Sequence, residues 1–309
     1  MLNHQSIFIT GGTGTLGSAF LHKILATYPQ INTVTIYSRD EMKQYELRRR
    51  YPSVKYPMIR WVIGDIRDQE RLHDKMKGAD LVIHAAAMKH IPICEENPEE
   101  CLKTNVTGTK NVIHAALDNN VKQTILCSTD KSVDPISIYG NSKQAAEKLF
   151  LNASNEHSKF AIIRLGNIWG SRGSVVPLFK EIGESGKLPI THPNMSRFFC
   201  TEEQMTDSLF YTLETMQGGE IVIPKMIARK ITDIAREIAP NATHQIVGLR
   251  GFEKISEKLV SDIELPRTSE NAYYWIINSS APSTTQIVKD ARELDSQYAS
   301  KTIFNYLLN

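Results

Sequence analysis

Short apolar runs closed by turn residues alternate with helix-period stretches through the first half of the chain. The runs at 6–10 (Ser-Ile-Phe-Ile-Thr), 33–37 (Thr-Val-Thr-Ile-Tyr), 59–63 (Ile-Arg-Trp-Val-Ile), 81–84 (Leu-Val-Ile-His), 124–127 and 162–166 have the length and content of buried strands. Helices are expected over 18–26, from near Arg67, along a long segment around Asn105 that ends at Leu117, and over 138–150. Strand and helix in alternation predict an α/β fold on a doubly wound parallel sheet. Past residue 166 the order changes, with a glycine- and serine-rich loop at 170–173, an apolar stretch at 175–179, a strand at 219–224 and an amphipathic helix at 231–238.

The chain has 309 residues, 41% of them hydrophobic, enough for one large or two modest domains. With 36 basic and 34 acidic residues the formal charge is +2, which provides no general field for nucleic acid or an anionic membrane. The run Arg48-Arg49-Arg50 reads as the solvated face of a helix. Four cysteines (Cys94, Cys101, Cys127, Cys200) lack Cys-x-x-Cys spacing and a matching histidine cluster, so neither a metal site nor a disulfide framework is expected, and a reducing cytoplasm fits. No signal peptide and no span of membrane length is read from the sequence.

Directly behind the first strand lies Gly11-Gly12-Thr13-Gly14-Thr15-Leu16-Gly17, followed by a helix. Strand, glycine turn and helix bring helix N-terminal amides to a pyrophosphate, which predicts a Rossmann-type dinucleotide site. The second strand ends in Ser38-Arg39-Asp40, where an acid normally holds the ribose of NAD. A hydroxyl and a guanidinium there favour NADP over NAD, with Arg39 on the 2′-phosphate and Lys43 or Arg48 assisting. Asp65-Ile66 and Ala85-Ala86-Ala87 follow strand ends, where ligands of such sheets gather. Asp65 is read as an acceptor for the adenine amino group or as a helix cap, and Asn105 as a bridge from helix backbone to the site or as a cap. His84 has no evident partner and is assigned to packing.

Between Cys127 and Lys143 the chain concentrates hydroxyl, acid, amine and phenol in Ser128-Thr129-Asp130-Lys131 and Tyr139-x-x-x-Lys143. Tyr139 and Lys143 share one face of the expected helix, and a cation beside a phenol of pKa about 10 favours phenolate. An isolated pair of this kind is common on helices; its weight comes from the glycine turn at the other end of the same half-chain.

Together these motifs resemble the extended short-chain dehydrogenase/reductases. Tyr37-Ser-Arg-Asp-Glu41, Gly64-Asp-Ile-Arg-Asp68, His84-Ala-Ala-Ala-Met-Lys-His-Ile-Pro92, Ser128-Thr-Asp-Lys131, Gly170-Ser-Arg-Gly-Ser-Val-Val-Pro177 and Met195-Ser-Arg-Phe198 are similar to the UDP-N-acetylglucosamine 4,6-dehydratases of polysaccharide biosynthesis and flagellin glycosylation. The resemblance implies an internal redox cycle: C4 of the sugar is oxidised, water leaves across C5 and C6, and the borrowed hydride returns to C6. In that scheme Tyr139 is the C4 base, Lys143 lowers its pKa, Thr129 (or Ser128) holds the 4-oxygen, Lys131 takes the C5 proton and Asp130 protonates the departing hydroxyl. Related nucleotide-glucose dehydratases carry glutamate where Lys131 stands. A lysine base needs its pKa lowered from about 10.4, for which Lys89 and Lys143 are the expected neighbours.

Arg172 and Arg197 are read as guanidinium forks for the sugar nucleotide's diphosphate, or else as salt-bridge partners of Glu202 or Glu203; Asn167 and Lys180 serve as secondary contacts. Met88, Lys89, Ser174, Val175, Arg250 and Glu253 complete the expected substrate site, and the resemblance implies that the last two lie near the uridine. The resemblance implies a division into 1–168 for the NADP-binding domain, rejoined by 219–236, and 169–218 with 237–309 for a smaller interleaved substrate-binding cap. Residues 278–285 read as a loop and 286–308 as a helix. The resemblance also implies a homo-oligomer, a dimer or larger, with surfaces near Asn105 and Ile138. A same-fold 4-epimerase or NADPH-dependent reductase, and a non-catalytic NADP-binding regulatory protein, are the competing readings; keeping both Tyr139 and Lys143 argues against the last.

Overall fold

The computed structural model describes residues 1–183, 186–279 and 291–297. The chain begins β1 (Ser6–Thr10), α1 (Thr15–Thr27), β2 (Thr33–Ser38), α2 (Glu41–Arg50), β3 (Ile59–Ile63), α3 (Gln69–Met76) and β4 (Leu81–His84). Then come α4 (Ile91–Glu96), α5 (Pro98–Leu102), a π-helical turn (Lys103–Thr107), α6 (Gly108–Asp118), β5 (Gln123–Thr129), a 3₁₀ turn (Asp130–Ser132), α7 (Ile138–Leu151) and β6 (Lys159–Leu165). It continues through β7 (Asn167–Ile168), α8 (Val175–Ile182), β8 (Lys187–Ile190), β9 (Ser196–Cys200), α9 (Glu202–Thr215), β10 (Ile221–Pro224), β11 (Ile227–Lys230), α10 (Ile231–Ile238), β12 (Thr243–Ile246), β13 (Thr268–Glu270) and β14 (Tyr274–Ile277).

A nine-stranded sheet runs in the order β13, β14, β10, β6, β5, β4, β1, β2, β3, parallel from β10 to β3. Strand order reverses between β1 and β4, which opens the crevice where such sheets bind ligands. Continuous apolar strands such as Ile7, Phe8 and Ile9, all at most 1% exposed, reflect helices on both faces. Side chains cap the starts of three helices: Asp40 accepts from Lys43 N, Asp68 from Arg71 N and Ser137 from Gly140 N.

A second, smaller body holds the sheets β11-β9-β7 and β12-β8. Val176, Phe179, Leu188, Ile190, Phe199 and Ile234 form its own core. At about 1.5–3 kcal/mol for each such side chain buried, this cluster is large enough to hold the second body together.

The expected division differs from this arrangement in two places. Residues 268–277, placed with the cap, pair along the large sheet through β14 and β10, and Trp275 of β14 is buried there with its indole N–H on Glu270. Conversely β11 and α10, placed with the large sheet, pack on β9 and α8, because the apolar face of α10 (Ile231, Ile234, Ala235) fills the second core. The expected loop 278–285 and helix 286–308 lie mostly outside the described residues, within which 291–294 form a 3₁₀ turn.

Candidate active site

A cavity of about 1140 Å³ lies between the two bodies, at the carboxyl ends of the parallel strands. Its floor at one end is the glycine turn, where Gly11, Thr13, Gly14, Thr15, Leu16 and Gly17 all reach the wall. Gly11 has φ +65°, and a Cβ there would stand 2.7 Å from the Ala86 nitrogen. A Cβ on Gly17 would stand 2.5 Å from Gly12 Cα, so only glycine lets α1 begin this close to the turn. No side chain caps α1. Its first amides are left for an anion in the crevice.

Ser38, Arg39 and Lys43 line the far corner of this end, and Ile66, Ala85, Ala86 and Ala87 its sides. Asp40 caps α2 through Lys43 N and pairs with the Lys43 ammonium at 2.8 Å, while Arg39 stands 53% exposed, 3.6 Å from Asp65. Asp65 does not cap α3. Its carboxylate accepts from Arg67 N at 2.9 Å and from the Arg67 guanidinium at 2.7 Å, off the cavity wall, and Asp68 caps α3 instead. Burial works against its charge, but the Arg67 bonds outweigh it and hold the carboxyl below its ordinary pKa.

Asn105 also stands off the wall, buried in the π-helical turn. It bonds both backbone groups of Met88, at 2.8 and 2.9 Å, and the Ser142 hydroxyl at 2.9 Å, which makes it the bridge from helix backbone that the sequence offered, reaching α7, rather than a cap. Met88 packs with Cys94, Cys101 and Tyr139 instead of facing the cavity. His84, given no partner from sequence, has two: Nδ1 lies 2.7 Å from Thr10 Oγ1 and Nε2 3.0 Å from Thr109 Oγ1. Thr109 donates to the Asn105 carbonyl, so the histidine proton sits on Nε2. Those partners are 74 and 25 residues away in sequence, which hid them.

Tyr139 and Lys143 project from α7 into the middle of the cavity, beside Ser128, Thr129 and Lys131 at the end of β5. Burial raises the Tyr139 phenol above its ordinary pKa, partly offset by the neighbouring Thr129 side chain. Burial also lowers that of Lys143, whose ammonium donates to the Cys127 carbonyl at 2.9 Å. Lys131 donates to Asp130 Oδ1 at 2.9 Å and to Asn167 Oδ1 at 3.0 Å. The two lysines expected beside it are engaged elsewhere, since Lys89 donates to the Arg172 carbonyl at 3.0 Å and Lys143 to Cys127. Asp130 is fully buried behind the wall, touching Thr129 Oγ1 at 3.1 Å as well as Lys131.

At the other end Lys89, Asn167, Arg172, Ser174 and Val175 line the cavity together with Arg197, Arg250 and Glu253. Arg172 reaches across to the Thr13 carbonyl at 2.6 Å. Arg197 is 7% exposed and spends its fork on the carbonyls of Ser196, Ile255 and Lys254, with Glu257 at 3.8 Å where Glu202 or Glu203 was expected. Arg250 and Glu253 pair with each other. Lys180 is exposed on α8, outside the cavity. Sequence reading missed His90, Lys254 and Glu257 on the wall. Lys254 joins Glu257 at 2.8 Å and the Val133 carbonyl at 2.8 Å, a contact across 121 residues that no local signal announces.

Among the described residues no helix is long and apolar enough to cross a membrane, and no group of three His, Cys, Asp or Glu is placed to hold a metal. The chain is 45% identical over 296 residues to a UDP-N-acetylglucosamine 4,6-dehydratase (inverting) of Campylobacter jejuni, covering 94% of this chain and 86% of that one. It is 37% identical to a UDP-glucose 4-epimerase of Rickettsia bellii, covering 90% and 84%. Among solved structures, Pen from Bacillus thuringiensis superposes with a TM-score of 0.87 at 34% identity, covering 93% of each chain. The sequence pattern of the polysaccharide biosynthesis proteins matches residues 7–279, and the chain belongs to that family.

Proposed function

We propose that the protein is a UDP-N-acetylglucosamine 4,6-dehydratase that keeps a nicotinamide dinucleotide, NADP rather than NAD, in its crevice. The observation that carries this reading is Lys131, paired with Asp130 buried behind it, on the wall of the same cavity that Tyr139 and Lys143 line. The uncapped start of α1 and the close approach of Gly11 to Ala86 suit a pyrophosphate. Arg39 and Lys43 supply cations for a 2′-phosphate, and Asp40, engaged at the start of α2, is a poor ribose acceptor.

When bound, the dinucleotide supplies a reversible store for two electrons. Tyr139 takes the proton of the sugar 4-hydroxyl while Thr129, beside the phenol on the cavity wall, holds the 4-oxygen. Lys143 sits a helical turn away on the same face of α7, a cation for the nicotinamide ribose side of the site. With its proton passed to Asp130 Oδ1, 2.9 Å away, the neutral Lys131 amine removes the C5 proton. Asp130 is sealed from solvent, so a proton it gives to the C6 hydroxyl passes through the Lys131 or Thr129 groups that touch it. Arg172, Arg250 and Lys254 face the uridine diphosphate. The inverting relative supports inversion at C5. Four free cysteines support a reducing, cytoplasmic setting, and a homo-oligomer is part of the same reading.

The epimerase relatives favour a second reading, UDP-sugar 4-epimerisation. Epimerisation has no use for an acid and base after β5, which places it second. Incubation with UDP-N-acetylglucosamine in deuterated water, followed by NMR, separates the two. The expected product is a 4-keto-6-deoxy sugar with deuterium at C5; an unchanged sugar, or inversion at C4 with the C6 oxygen retained, rejects dehydration. Tyr139→Phe is expected to abolish turnover with the coenzyme still bound, and Lys131→Ala to stop elimination.

A further inference from the structure

The face of α7 that carries Tyr139 and Lys143 continues to Glu147, one further turn along and 3% exposed. A carboxylate so deep in the protein requires partners. Arg164 of β6, 1% exposed, provides them, with Nη2 2.7 Å from Oε2 and Nε 3.3 Å from Oε1. The same guanidinium holds Glu264 at 2.8 and 3.0 Å and the Leu259 carbonyl at 2.7 Å, so the segment beyond β12 is tied into the same knot. Neutralising a buried charge would need no more than this. Glu147 does more: its Oε1 lies 2.7 Å from the Ser132 hydroxyl, and that hydroxyl lies 2.6 Å from the Thr129 carbonyl. Ser132 closes the 3₁₀ turn on which Asp130 and Lys131 stand.

We propose that Glu147, acting through Ser132, is a positioning residue that fixes the acid–base turn of residues 129–132 in register with Tyr139 and Lys143. The inference rests on the dehydratase reading. Such an enzyme performs two unlike reactions on adjacent carbons of one bound sugar, oxidation at C4 and elimination across C5 and C6. The groups for the first sit on α7 and those for the second on the turn after β5. A displacement of about 1 Å between them costs about a hundredfold in rate, so a strut from one helix face to the turn meets a requirement that a 4-epimerase lacks.

The test uses the full-length protein with its coenzyme and UDP-N-acetylglucosamine. Ser132→Ala leaves the Glu147–Arg164–Glu264 cluster whole and removes only the link. It is expected to lower kcat about tenfold with KM within about twofold, and to let reduced nicotinamide build up in a single turnover because elimination now lags oxidation. Glu147→Leu is expected to show the same signature at about a hundredfold, whereas Glu147→Gln, which keeps an acceptor for Ser132, stays within about threefold of the wild type. In the protein without sugar, amide exchange at Lys131 and Val133 is expected to quicken in Ser132→Ala while the centre of α7 stays protected. Wild-type kcat in Ser132→Ala, unchanged exchange at the turn, or a fall in kcat with no build-up of reduced nicotinamide each overturns the proposal. A wild-type protein that leaves the C6 oxygen in place defeats the dehydratase reading itself, a different failure.

Discussion

The Arg172 guanidinium donates to the Thr13 carbonyl at 2.6 Å, joining the loop after β7 to the glycine turn after β1. This clasp closes the crevice over the place where a pyrophosphate would rest. A hydrogen bond from a charged donor contributes about 1.5 kcal/mol, a factor of about ten in an equilibrium. Arg172→Ala is therefore expected to release bound nicotinamide dinucleotide about tenfold faster in the absence of sugar, measured by dilution into excess competing coenzyme.

Lys143 sets activity against stability. Burial lowers its pKa, so keeping the ammonium charged opposes folding below its unfolded value of about 10.4, and stability rises with pH toward that value. Lys143→Met removes this cost together with the cation beside Tyr139. Turnover is expected to fall by about 10²–10⁴, while urea midpoints at neutral pH stay equal or rise and the upward slope with pH disappears.

His84 governs acid stability. Burial, with a smaller push from Lys143, lowers its pKa to about 3. A depressed folded value means that the stabilisation is complete above about pH 6.5 and is lost as pH falls from there toward 3. The slope is about 1.4 kcal/mol per pH unit, or about 2 kcal/mol between pH 6.5 and 5. Urea unfolding of His84→Gln at those two pH values is expected to lose that much less than the wild type.

Gly17→Ala is expected to push α1 away from the glycine turn, because the new methyl would meet backbone rather than a side chain that can swing aside. Purified protein should then carry little coenzyme, read from its absorbance after denaturation, and unfold about 1–3 kcal/mol more easily, as an overpacked site does. Gly78→Ala, where nothing lies within 4 Å but φ is +76°, is expected to retain coenzyme normally.

The sheet and its crevice were legible because each strand and helix declares itself locally. The turn Gly11-Gly12-Thr13-Gly14, the strand ends at Ser38 and Ala85, and the Tyr139/Lys143 face all follow from spacing within about one helix or turn. What sequence could not supply was contact across distance. Asp65 pairs with Arg67, Asn105 holds Met88, and Arg197 is spent on backbone carbonyls of a loop 57 and 58 residues later. The division of the second half failed for the same reason. Whether β10, β11 or β14 joins one sheet or the other is decided by which core has room for its side chains, and both cores are assembled from distant segments.

The path of the chain from β6 to β7, from β9 to α9, from β10 to β11 and onward to β13 has a practical consequence. Among the described residues, no single cut between 166 and 268 leaves both cores with all of their segments in one fragment each. Shortened versions of the protein should therefore be insoluble rather than half-active. The late strand pair β13–β14 must dock on β10 before the large sheet has its full edge, so its assembly depends on the most distant contacts in the molecule.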